Sequence, residues 1–139
     1  MLQLLAGCQV GGLEMIALSL VSRLQGEFAF RVVCYDAEGP LKPRYEEIGV
    51  DVALEPRRPG VDLRYPFRLA RHIRRGRIDV LHAHNNTALF YGVLAALLCG
   101  GRRVVFTAHD RAVPKLPARV LQRLLGLATT RAVAVSEAG

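Results

Sequence analysis

The chain has 139 residues, 51% apolar and 22% charged, which is long enough for one ordinary core and too apolar for a disordered segment. Nineteen basic residues against twelve acidic give a net charge of +7, and 17 of the basic residues are arginine. That balance suits nucleic acid, an anionic membrane surface or phosphorylated substrates without choosing among them.

Cys8, Cys34 and Cys99 are odd in number, widely spaced and set among apolar residues. They read as buried thiols of a reducing compartment, with neither a zinc spacing nor a disulfide framework. The start, MLQLLAGC, lacks the basic segment of a secretory leader. The longest apolar run, Ala88 to Cys99, spans 12 residues, too short to cross a bilayer. The expectation is a soluble cytoplasmic domain, with peripheral attachment to the inner face of the membrane left open.

A first buried strand is expected over Leu2 to Ala6. The turn Gly7 to Gly12 follows, then a helix whose apolar positions Leu13, Ile16, Ala17, Leu20, Val21 and Leu24 recur at helical spacing. Phe28 to Tyr35 reads as a second strand and Asp36 to Pro40 as a turn. A short helix is expected over Leu41 to Ile48, stopped by Gly49. Val50 to Leu54 alternates as an edge strand would. After the Pro- and Arg-rich stretch Glu55 to Asp62, Asp62 is placed to cap a helix over Leu63 to Arg75. Its core stripe is expected at Phe67, Ala70 and Ile73, with Arg64, Arg68, Arg71 and Arg75 on another face.

The stretch Asp79 to Asp110 then reads as strand, apolar helix, Gly-Gly turn and strand, each strand ending in histidine. A last helix is expected over Lys115 to Leu127 and a sixth strand over Thr130 to Val135. Strands alternating with helices imply a Rossmann-like, doubly wound parallel sheet of about six strands with helices on both faces, as a single domain over residues 1–139. Ligands of such sheets sit at the carboxyl ends of the strands.

Three groups of residues carry chemistry at that edge. Gly11 and Gly12 lie between a strand and a helix, where backbone amides approach an anion, although a glycine pair also serves simply to turn. The spacing from Gly7 is not G-x-G-x-x-G, but Asp36 after the second strand keeps a nicotinamide-binding domain among the alternatives. His82 is expected to pack in the sheet with a satisfied ring, whereas His84 and His109 are expected to contact a ligand. Together with Asp110, the three histidines also allow a metal-dependent hydrolase. Asn85, Asn86 and Thr87 cap the apolar helix and face the same edge. Ser136 closes the sixth strand within reach of the cleft. The arginine helix is either a solvated face or a site for anionic lipid headgroups. No stacking or helix-turn-helix signature points to nucleic acid.

In order and spacing, Val10-Gly11-Gly12-Leu13-Glu14, Ile48 to Val52, Arg71 to His84, Thr107-Ala108-His109-Asp110 and Ala132 to Glu137 together resemble the N-terminal domain of retaining glycosyltransferases of the GT-B fold, family GT4. The resemblance implies the acceptor-binding half of a two-domain enzyme that uses a nucleotide-sugar donor as co-substrate and needs no metal or other cofactor. The Gly11 and Gly12 amides would approach the donor phosphates, and Glu14 would help select the acceptor. His84 and Asn85 would line the acceptor side, with Asp110 and Ser136 among the substrate-binding positions. His109 would sit near the transferred sugar as the catalytic candidate. The donor-binding domain is absent from these 139 residues, so the chain by itself is expected to be inactive. A non-catalytic binding module of the same fold is the remaining alternative.

Overall fold

The computed structural model describes residues 1–108 and, as backbone, residues 131–134. His109, Asp110, Ser136 and the helix expected over 115–127 lie outside the described residues. The element order is β1 (Leu2–Leu5), α1 (Gly12–Leu24), β2 (Arg31–Cys34), α2 (Lys42–Glu47), β3 (Asp51–Leu54), α3 (Tyr65–Arg75), β4 (Val80–Ala83), α4 (Asn86–Leu98), β5 (Arg103–Ala108) and β6 (Arg131–Ala134).

All pairings are parallel, in the order β3-β2-β1-β4-β5-β6. This is the Rossmann order, and β3 lies at the edge, as its alternation implies. The chain runs outward from β1 to β3, crosses back, and then runs the other way from β4. Right-handed crossovers therefore put successive helices on opposite faces before and after the return. One core holds Leu2, Leu4, Leu81, Val104 and Phe106 of the sheet beneath Leu69, Ile73, Leu89 and Val93 of α3 and α4. The other holds Leu5, Val32, Cys34 and Val52 beneath Ala17 and Val21 of α1 and Tyr45 of α2. The strand order reverses between β1 and β4, which opens a crevice at their carboxyl ends.

Turn chemistry follows from backbone geometry at three glycines. Gly49, behind α2, has φ +78°, and Gly100 and Gly101, between α4 and β5, have φ +83° and +79°. These are left-handed conformations that side chains disfavour.

Three expectations about element faces are corrected. β2 begins at Arg31 rather than Phe28, and Phe28 is exposed. In α1 the buried positions are Ala17, Leu18 and Val21, while Ile16 is 43% exposed. In α3 the buried set is Tyr65, Pro66, Leu69, Ala70 and Ile73, and Phe67 is 64% exposed. Both helices carry more apolar residues than one face buries, so periodicity alone does not choose which apolar column turns inward.

Candidate functional site at the carboxyl edge

The loop after β1 carries the glycine pair. Gly11 is the N-cap of α1 in an extended conformation (φ −145°, ψ 167°) with no side-chain cap. Among the described residues, a Cβ at Gly12 would meet nothing within 4 Å, and one at Gly11 would meet the Glu14 carboxylate, its Oε2 at 2.5 Å and its Cδ at 3.5 Å. Neither residue has a positive φ. Glycine at these two positions is therefore demanded neither by backbone conformation nor by the packing of fixed backbone. What their small size leaves is open space beside the amide end of a 13-residue helix, where an anion is favoured. Glu14, folded over Gly11, is flexible at the end that approaches it.

The same loop is held from behind. Cys8 O accepts the amide of Leu41 at 2.9 Å, and the Gln9 side-chain amide donates to Glu38 O at 2.9 Å. Gly39 lies so close that a Cβ there would be 2.3 Å from Cys8 O. Sequence reading treats Gly39 as an ordinary turn residue, and nothing local marks it as the support of a loop 31 residues earlier. The thiols of Cys8 and Cys34 are both buried and lie 3.3 Å apart. Cys99 is half-buried, and all three cysteines are free thiols.

Four buried polar side chains line up across the central strands: Gln3, His82, His84 and Thr107. Parallel pairing sets Gln3 opposite His82, and period-two alternation puts His84 on the same face. His82 Nε2 lies 2.7 Å from Thr107 Oγ1, the packed and satisfied state expected of it. His84 departs from expectation. It is 1% exposed, its Nε2 is hydrogen-bonded to Gln3 Oε1, and its ring stacks 4.0 Å from that of His82. The strand's own direction explains this, because one residue past β4 the chain still follows the sheet and keeps its side chain beneath the surface.

His84→Ala should therefore lower stability by about 1–3 kcal/mol, the cost of stranding a buried partner. The melting temperature should fall by roughly 3–10 °C. A ligand-contact role predicts instead an unchanged melting temperature and a raised acceptor KM, so a thermal melt separates the two.

Asn85 is the N-cap of α4. Its Oδ1 accepts from Ala88 N at 2.8 Å and from the Tyr35 hydroxyl at 2.9 Å, so it ties β2 to the helix start. Asp36, the candidate for a ribose hydroxyl, is instead ion-paired with Arg57 at 2.9 Å, and Arg57 also lies over the Tyr35 ring.

Asp62 is the organising residue that sequence reading undervalued. It does not cap α3, whose N-cap is Arg64. Its carboxylate accepts from Arg58 N at 3.0 Å, Arg64 N at 3.1 Å and Arg68 Nη2 at 2.7 Å, while its own amide donates to the Tyr91 hydroxyl at 2.9 Å. These bonds, the Arg58 amide first and the Arg68 charge among them, hold its carboxyl below the usual carboxylate range. The sign follows from linkage. A depressed folded-state pKa contributes stability that is fully present above the unfolded value of about 3.9 and is lost as pH falls through the folded value. Asp62→Asn should lower the urea midpoint at pH 7, and the gap from wild type should narrow steadily as the pH is taken below 4. A gap independent of pH would contradict this.

Two cavities lined by described residues flank the sheet. The larger, about 420 Å³, is lined by Met1, Phe28, Arg31, Arg77 and Asp79 at the amino ends of the strands, the wrong edge for an open α/β sheet. The smaller, about 280 Å³, lies at the carboxyl edge between the β3–α3 loop and the start of α4. Its lining includes Arg57, Val61, Thr87, Phe90 and Tyr91. Of the two, it is the one on the candidate site's edge. Among the described residues no three His, Cys, Asp or Glu side chains converge as metal ligands; His109 and Asp110 stand outside that set.

Residues 10–138 match the model of Glycosyltransferase Family 4. The chain belongs to that family. No curated protein matches the sequence. Among solved structures it is similar to Anabaena HepE in complex with UDP, at 19% identity and a TM-score of 0.68 over 91% of this chain. HepE with UDP and glucose gives 19% identity and a TM-score of 0.67, again over 91%. At that identity the likeness shows the fold, one Rossmann-like half of the GT-B architecture. The chain spans 34% and 35% of the length of those two structures.

Proposed function

We propose that this chain is the acceptor-binding, N-terminal half of a glycosyltransferase that moves a sugar from a nucleotide-sugar donor to an acceptor with retention. It is proposed to work only with a second, donor-binding half and to be inactive alone. Family membership and the UDP and glucose held by HepE support this reading. The observation that carries it is the Gly11–Gly12 segment, where, among the described residues, no packing or backbone conformation requires glycine and the amide end of α1 is open at the carboxyl edge.

In this reading the leaving diphosphate is stabilised by those amides and the α1 dipole, which are oriented before the charge develops, so little reorganisation accompanies the step. Glu14 swings off Gly11 as the phosphates arrive and turns towards the acceptor. Asn85 acts by holding the start of α4 in place. Asp110 and Ser136 are assigned to the substrates, and His109 to the transferred sugar. No metal or other cofactor is invoked. Attack proceeds on the face that the diphosphate leaves, with that phosphate receiving the acceptor's proton, so no protein nucleophile is required.

The test is to measure UDP-sugar turnover with the chain alone and with the intact two-half protein. Turnover should appear only in the second case. Transfer by residues 1–139 alone, or an intact protein that neither binds nor hydrolyses any nucleotide sugar, would overturn the proposal.

A further inference from the structure

The β3–α3 loop and the first turns of α3 expose apolar side chains where a water-facing loop has no use for them. Val61 and Leu63 are each 71% exposed and Phe67 is 64% exposed. Leu63 and Phe67 are four residues apart, Phe67 on the helix and Leu63 just ahead of it, and so share a side.

The charges around them have one sign. Arg64 and Arg71 flank Phe67 on the exposed face, and α3 contains no acidic residue. Arg68, counted in the basic stripe from sequence, does not belong to that face, because it is held by Asp62 at 2.7 Å and Glu55 at 3.5 Å. The nearby carboxylates are therefore occupied inward while Arg64 and Arg71 face out. A surface with apolar tips among arginines that form no ion pair among the described residues complements the interface of an anionic bilayer, where acyl chains take the tips and headgroups the cations.

The patch is also continuous with the site. Val61 is at once an exposed tip and a wall of the 280 Å³ cavity, whose other walls include Phe90 and Tyr91. Among the described residues the one cation lining that cavity, Arg57, is neutralised by Asp36, so these walls offer apolar contact more than charge.

We infer that the loop and N-terminal turns of α3 dock on an anionic membrane and that the adjoining cavity takes the apolar portion of a lipid-like acceptor presented there. The acceptor half of this inference rests on the transferase reading; the docking half does not.

The experiment uses the full chain and needs no sugar transfer. In vesicle flotation, binding to phosphatidylglycerol-containing vesicles but not to pure phosphatidylcholine is expected, weakening as salt rises. Arg64→Gln with Arg71→Gln should reduce it about 10- to 30-fold, each arginine near a charged bilayer contributing about 1 kcal/mol. Leu63→Ser with Phe67→Ser should reduce it too while leaving the thermal melt unchanged, since both side chains are exposed. Equal binding to both vesicle types, no binding, or indifference to both variant pairs would overturn the docking. So would preferential capture of the chain by single-stranded RNA through the same arginines. For the cavity, decyl phosphate below its micellar concentration should shift the amide resonances of Val61, Thr87 and Phe90, and inorganic phosphate should not. No shift, or equal shifts from both, would overturn the acceptor class.

Discussion

Gly12→Val in the intact two-half protein should leave the melt unchanged or slightly raised and still abolish most of the activity. Stability is retained because a Cβ at Gly12 meets nothing within 4 Å among the described residues and the residue opens α1. Replacing glycine inside a helix stabilises by up to about 1 kcal/mol. Activity is lost because the added side chain fills the space through which the donor diphosphate would approach the α1 amides. A displacement of about 1 Å at a reacting group is enough for roughly a hundredfold loss, so kcat/KM for the sugar nucleotide should fall by at least that much, with weaker UDP binding. The paired measurement is a thermal melt and a donor titration on the same preparation. Unchanged donor kinetics would remove the Gly11–Gly12 turn from the site, and a collapsed melt would mean that glycine serves the fold after all.

Gly39→Ala should do the reverse and unfold the support of the same loop. A methyl group there would lie 2.3 Å from Cys8 O and 2.7 Å from Gln9 N. Both are backbone atoms with no rotamer to change. Forcing extra volume into such a contact costs about 1–3 kcal/mol or more, and the Leu41 N to Cys8 O hydrogen bond stands directly in the strained region. The melting temperature should fall by roughly 3–10 °C. Donor affinity should drop with it, because the displaced segment, Cys8–Gln9, leads straight into Gly11. Gly26→Ala is the control: among the described residues a Cβ there meets nothing within 4 Å, and its melt should match wild type. Equal effects at the two glycines would show that the Cys8 contact relaxes without cost.

These two substitutions mark the limit of what a linear reading reaches. Both glycines stand where the chain passes from a strand to a helix, and composition cannot tell them apart. One borders open space and the other a carbonyl contributed by a loop 31 residues earlier in the chain. The histidines divide in the same way. His82 is legible as a packed residue because alternation within β4 places it, and the Thr107 hydroxyl supplies its partner. His84 reads as a strand-end ligand because its position after β4 is local information, whereas its partner, Gln3, is 81 residues away.

By itself the sequence determined the order of strands and helices, the parallel sheet, β3 as its edge, the glycine turns and the family. The reason is that hydrophobic period, turn residues and the handedness of crossovers act over short stretches and leave few topologies open. Tertiary structure alone decided which apolar column of α1 and α3 turns inward, that Asp62 gathers Arg58, Arg64 and Arg68, and that Arg68 leaves the basic face while Phe67 joins it. Those outcomes depend on which surfaces meet, and a burial or an ion pair between distant residues leaves no periodic trace in the chain.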